Sequence, residues 1–250
     1  MFFLLQKVFF IKNMEIYILG HKPVPYGFWE EYPYIPLQVG NGEPFLPLRD
    51  NVGDNISGLN SVYAENTGIY WVWKHSKADI VGQCQYRRRI RVPENAFETY
   101  DAVVSKSLKL SNVRHQYSTC HSKLDLDLAE KIIEKKYPEY FSAWNSVMNG
   151  RYLHYSNSFV MKRELYDNYC EFLFSFLAEF FALKVQDTDK DIESVVQEEI
   201  DTHERSSARG FKYQLQIGGF LSERLFTVWL KKNVPDDKVL EVPYVLMEHT

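Results

Sequence analysis

The sequence predicts an α/β domain, a sheet with flanking helices and a helical C-terminal part, on three observations. Short apolar runs of β type alternate with longer stretches of helical spacing. Two of those runs lead directly into polar, cationic turns, the place where open α/β sheets bind ligands. The 250 residues, 45% of them hydrophobic, suffice for one domain with a substantial core.

The elements follow in order. Residues 15–19 (EIYIL) form a strand whose end carries Gly20-His21-Lys22-Pro23. Residues 24–60 are rich in Pro, Gly and Asn and are expected as a long irregular loop. The spacing of Tyr63, Thr67, Tyr70, Trp71 and Lys74 predicts one helix over 62–74. Strands are expected at 79–83 and 102–104, then a helix over 126–136, and Pro138 opens a second helical segment reaching 148. A strand at 158–161 precedes a helix over 163–183 with an aromatic face (Tyr166, Tyr169, Phe172, Phe176, Phe180). The charged stretch 186–209 reads as an exposed polar insertion or mobile loop. A core helix over 218–231 and a strand over 239–245 complete a single domain spanning 14–250.

Residues 1–13 read as an upstream-start extension, because Met14 directly precedes a good strand. Their apolar part is far shorter than the roughly 20 residues of a membrane span and has no small-residue cleavage site. A peripheral membrane contact is the competing expectation for this segment. The net charge of −4 argues against a nucleic-acid partner. Cys84, Cys120 and Cys170 form no CxxC pair or metal-like cluster and are expected as free thiols in a reducing cytoplasm. The chain has no P-loop, GxGxxG, GxSxG or HExxH motif.

Tyr86-Arg87-Arg88-Arg89, at the end of a buried strand, is the most informative segment. Guanidinium groups hold phosphate oxygens in bidentate fashion and keep their charge at any relevant pH. A solvated basic turn paired with acidic residues explains the run equally well. Asp54 and Asn55 could meet ribose or sugar hydroxyls, although Asp-Asn-Ile-Ser is also ordinary turn and capping chemistry. Glu223 and Arg224 interrupt an otherwise apolar helix. A carboxylate there could serve as a general base, and an internal Glu–Arg ion pair is the competing explanation. Asp125-Leu-Asp127 has metal-holding spacing, but its place at a helix start favours capping. Asn157, before a strand, could touch a sugar hydroxyl or merely close a turn.

Together these segments resemble a bacterial family first catalogued as a domain of unknown function and found in capsule, exopolysaccharide and O-antigen gene clusters. The likeness rests on His21-Lys22-Pro23, Gly53-Asp-Asn-Ile-Ser57, Tyr63 through Tyr70-Trp-Val-Trp-Lys74, Asp79-Ile-Val-Gly82 with Tyr86-Arg87-Arg88, and Phe220-Leu-Ser-Glu-Arg-Leu-Phe226. Members are regarded as glycosyltransferases, some linked to galactofuranose polymers. The resemblance therefore implies a GT-A-like nucleotide-sugar-binding sheet. Where the family usually has His before Tyr-Arg-Arg, this chain has Gln85.

The resulting expectation is hexosyl transfer from a nucleoside-diphosphate sugar, a UDP-sugar first, to a glycan or lipid-linked glycan at the inner face of the cell membrane. Glu223, Arg87 and Arg88 are the candidate catalytic residues. His21, Lys22, Asp54, Asn55, Tyr86, Asn157 and Arg224 are the candidate donor contacts. An arginine-held diphosphate makes no demand for a metal, while a strand-end Asp leaves room for Mg²⁺ or Mn²⁺. A non-catalytic carbohydrate-binding or assembly protein of the same pathway is the alternative. A sugar-phosphate nucleotidyltransferase is weakened by the missing Gly-rich loop.

Overall fold

The computed structural model describes residues 13–23 and 33–246. The segment expected to be an upstream-start extension lies, but for Asn13, outside them. The chain runs β1 (Met14–Gly20), β2 (Tyr34–Gln38), α1 (Asn60–Tyr63), α2 (Asn66–His75), β3 (Ile80–Gln85), β4 (Arg88–Ile90), α3 (Ala96–Thr99), β5 (Ala102–Ser105) and β6 (Leu108–Lys109). It continues through α4 (Val113–Cys120), α5 (Lys123–Lys136), α6 (Phe141–Met148), β7 (Tyr152–Leu153), β8 (Phe159–Lys162) and α7 (Arg163–Val185). The last elements are α8 (Ile192–Asp201), α9 (Phe211–Gln214), α10 (Ile217–Asn233), β9 (Val239–Val242) and β10 (Tyr244–Leu246).

Eight of these strands form one mixed sheet containing the run β2-β1-β3-β8-β5-β9, with β1 parallel to β2 and β3, and β8 antiparallel to both its neighbours, while β6 and β7 pair antiparallel as a separate two-stranded sheet. β4 folds back from the end of β3 and carries β10. β3 is central because 80–84 is buried throughout, as a strand covered on both faces must be. Its buried amide is paired at both ends: Gln83 Nε2 donates to the Asn157 carbonyl and Tyr166 Oη donates to Gln83 Oε1. At Gly82 the strands approach closely, and a Cβ there would lie 2.1 Å from the Phe159 carbonyl oxygen. α7 and α10 pack aromatic faces together, with the Tyr169 ring 5.3 Å from both Phe226 and Trp229, and Phe159 of β8 stacks on Phe226 at 4.2 Å.

Four expectations change. The 24–60 loop contains β2, which the Pro- and Gly-rich composition concealed. Asp50 pins the chain beyond it, accepting from the Gly40 N–H, Ser57 Oγ and Thr67 Oγ1. The predicted 62–74 helix is two helices, broken at Ala64, whose φ is 52°. Asn60 Nδ2 secures the break by donating to the Ala64 carbonyl and to Thr67 Oγ1. The closing strand divides into β9 and β10, which pair with β5 and β4 respectively.

The fourth concerns Asp125. Ser122, not Asp125, caps α5, its Oγ accepting from the Leu124 N–H. Asp125 is fully buried and accepts bidentately from Arg205 Nη2 at 2.8 and 2.7 Å, from Lys184 Nζ at 2.8 Å and from Tyr117 Oη at 3.1 Å. Burial would raise its carboxyl, but Lys184 and Arg205 outweigh that and hold it below the ordinary aspartate value. Glu199 of α8 completes the group by accepting from Arg205 Nε and Lys184 Nζ. The polar stretch 186–209 thus carries α8, capped by Asp191 and docked through buried ions.

Two stability effects are expected. Gly82→Ala forces a backbone clash that no rotamer relieves, costing about 3 kcal/mol, which lowers Tm by roughly 6–12 °C in a thermal melt. Arg205→Ala leaves the charges of Asp125 and Glu199 with Lys184 as the one cation of the group and costs about 3–5 kcal/mol in urea unfolding.

Candidate functional site

A cleft of about 620 Å³ opens where the C-terminal ends of β1 and β3 meet α4, α9 and α10. On the sheet side, His21, Glu65, Gln85, Tyr86, Arg87 and Arg88 line it; on the helical side, Gln116, His121, Tyr213, Phe220, Glu223 and Arg224 do. The sides converge where α10 passes the α1–α2 break. A Cβ added to Gly219 would stand 2.8 Å from the Ala64 Cβ, so only glycine allows that approach.

The floor is built around two carboxylates. Glu223 Oε1 accepts from the Ser156 N–H at 2.8 Å and Oε2 from Arg224 Nη1 at 2.8 Å. Burial pushes the Glu223 carboxyl up to about 7; the Glu65 charge acts in the same direction, and Arg224, the Ser156 N–H and Arg88 act against it. Glu65, immediately before α2, accepts from Asn157 Nδ2 at 3.0 Å and Gln85 Nε2 at 3.3 Å. Ser156 and Asn157 both have left-handed backbones, φ 69° and 44°, and this strained turn presents one donor to each carboxylate. Asn157 Nδ2 also donates to Ser222 Oγ, tying the turn to α10.

The cationic end is organised by an amide. Arg88 Nη1 donates to Gln85 Oε1 at 2.9 Å while Gln85 Nε2 donates to Glu65. One neutral side chain therefore links the guanidinium to the carboxylate, donating with one end and accepting with the other. Arg87 lies 5.2 Å from the Tyr86 ring centroid, and Tyr86 meets His21 edge-on at 5.4 Å. His21 is pushed below its ordinary value by burial and by the charges of Lys22 and Arg87, which keeps it neutral at neutral pH. The third arginine of the run, Arg89, instead stacks over the Tyr34 ring at 3.7 Å.

Of the residues singled out in the sequence, His21, Tyr86, Arg87, Arg88, Glu223 and Arg224 line the cleft. Lys22, Asp54, Asn55 and Asn157 are not among its lining residues. Asp54 accepts from Tyr70 Oη, and Asn55 closes its own turn with Gly53 and Ser57. Asn157 Nδ2 donates to Glu65. Arg224 is 1% exposed, and its Nη atoms are engaged by Glu223, the Phe220 carbonyl and Gln116 Oε1, so it positions Glu223. Sequence reasoning gave no donor or catalytic role to Glu65, which lies inside the expected 62–74 helix, or to the rings of His121, Tyr213 and Phe220. Among the described residues no group of three or more His, Cys, Asp or Glu side chains is arranged to hold a metal ion. Nor is any described helix long and apolar enough to cross a membrane.

Comparison with known proteins fits this architecture. A solved structure of WbbM, a bifunctional glycosyltransferase in its apo form, superposes with a TM-score of 0.74 at 25% identity. The match covers 94% of this chain and 45% of the other, so the chain spans less than half the length of that protein. The sheet with its flanking helices is accordingly GT-A-like. No curated protein matches the chain. Residues 15–234 match the family model described as Domain of unknown function (DUF4422), and the chain belongs to that family.

Proposed function

We propose that the chain is a glycosyltransferase that moves a hexosyl group, galactosyl or galactofuranosyl, from a nucleoside-diphosphate sugar to a surface-polysaccharide acceptor. The observation that carries this reading is one cleft in which a cationic pair, Arg87 and Arg88, and a carboxyl raised to about 7, Glu223, face the same space at strand ends. The likeness to a bifunctional glycosyltransferase supports it. UDP is the nucleotide we favour.

In this mechanism Arg87 and Arg88 bind the diphosphate and, as the bond from the sugar to the phosphate oxygen breaks, stabilise the charge left on it. Glu223, deprotonated, takes the proton of the acceptor hydroxyl as that oxygen bonds to the sugar carbon. Burial makes its carboxylate basic enough for the task, and Arg224 with the Ser156 N–H fixes its direction. His21 and Tyr86 flank the donor, and Gln85 aims Arg88. Lys22, Asp54 and Asn55 lie outside the cleft lining and contribute at most at its approach. The WbbM match adds no support for an assembly role without catalysis, and the paired base and arginines favour chemistry.

Calorimetric titration with UDP checks the arginine assignment. The double variant R87A/R88A is expected to bind at least about 100-fold more weakly, the loss of two charge-assisted contacts. Binding to the unaltered protein should be the same in EDTA as in Mn²⁺, since the arginines carry the charge; a requirement for Mn²⁺ would refute that part. Glu223 must be ionised to act, so kcat/KM should rise with pH through about 7 and level off above it. Glu223→Gln should abolish transfer and leave UDP affinity intact; a flat pH profile in the parent would remove Glu223 as the base.

A further inference from the structure

The helical wall of the cleft takes no part in donor binding as proposed above. His121 at the end of α4 and Phe220 on α10 stack at 3.8 Å with planes 21° apart, and the Tyr213 ring of α9 lies 4.9 Å from Phe220. His121 is 4% exposed, and burial followed by the Arg224 charge pushes its imidazole down to about 3, so it acts as an uncharged aromatic ring. Tyr213 and Phe220 are half-buried at the cleft surface. Beside them Arg209 is exposed on a left-handed backbone, φ 64°, with its guanidinium 4.9 Å from the Tyr213 ring and Nη1 donating to Tyr213 Oη.

Half-exposed rings bordered by hydrogen-bond donors match a ligand with one apolar face and a polar edge, which is the chemistry of a sugar ring. Position narrows the reading further. Phe220 and Glu223 are three residues apart on α10 and therefore neighbours on one helix face, about 5–6 Å between Cβ atoms. A ring lying against Phe220 would therefore bring a hydroxyl close to Glu223. Gln116, also in this wall, has its Oε1 taken by Arg224, which leaves its amide nitrogen to donate.

We propose that Tyr213 and Phe220 form the stacking platform for the terminal sugar of the acceptor, an uncharged hexose whose hydroxyls are met by Arg209 and Gln116. This assignment rests on the reading of the cleft as a glycosyl-transfer site. Saturation-transfer NMR with methyl β-galactoside, lactose and maltose, run beside calorimetry with UDP, tests it. The unaltered protein should bind at least one saccharide, and Tyr213→Ala and Phe220→Ala should each weaken that binding about fivefold, the worth of one aromatic contact. Tyr213→Phe, which keeps the ring, should retain it, and UDP affinity should move less than about twofold in all three. UDP binding that falls in parallel would make the wall a nucleobase platform and overturn the proposal. Saccharide binding indifferent to both alanine variants, or absent from protein that binds UDP, overturns it and leaves the donor reading standing. Protein that binds neither UDP nor saccharide overturns both.

Discussion

The turn formed by Ser156 and Asn157 is the constraint on which the cleft depends. Two carboxylates facing one cavity repel each other and lose solvation, so each needs a donor brought to it. A regular strand entry could not aim a backbone N–H at Glu223 and a side-chain amide at Glu65 from adjacent residues. Two successive left-handed residues can, at a cost of about 1–3 kcal/mol each. That strain is offset because β8 is locked between β3 and β5 immediately afterwards. The Asn157 amide reaches α10 through Ser222, so sheet, turn and helix hold one another in register.

Behind the helical wall, the Asp125, Arg205, Lys184 and Glu199 group does comparable work for α5, α7 and α8. Buried ion pairs contribute little net stability when complete, but they permit only one arrangement of their carriers. Arg205 also donates to the Gln214 carbonyl, and Gln214 Nε2 donates to the Cys120 carbonyl. The ends of α4 and α9 are thus fixed to the same cluster, and with them His121 and Tyr213. The shape of that wall depends on charges which never contact the cleft.

How much of this was legible follows from the reach of each signal. Strands 15–19, 79–83 and 158–161 and the helices over 163–183 and 218–231 could be read because burial marks their own residues, as continuous apolar runs in the strands and helical spacing in the helices. β2 could not, since its Tyr-Ile-Pro-Leu-Gln sequence lies among Pro and Gly residues and acts as an edge strand, where proline is tolerated. The α1–α2 break carries no Gly or Pro at Ala64; the Asn60 side chain and the approach of Gly219 from far along the chain produce it. Asp125 reads as a cap from its place at a helix start, because its ionic partners lie 59 and 80 residues away. The same distinction holds in the site. Arg87, Arg88, Glu223 and Arg224 stand out as charges where apolar residues belong, and the structure places them in the cleft. Asp54 and Asn55 rest on turn-forming residue types and the family likeness; in the structure Asn55 closes a turn and Asp54 accepts from Tyr70 Oη.

Gln85 has a consequence of its own. An imidazole in its place, linking Arg88 to Glu65, would gain a proton in mild acid, lose its acceptor and turn its charge against the guanidinium. An amide has no proton to gain, so the orientation of Arg88 does not change with acidity. A guanidinium keeps its charge at any relevant pH, so the diphosphate contact does not depend on acidity either. On the proposed reading, then, the two ends of the cleft answer the environment differently. Acidification silences the base while the donor stays bound, and the protein would idle on its nucleotide sugar instead of releasing it.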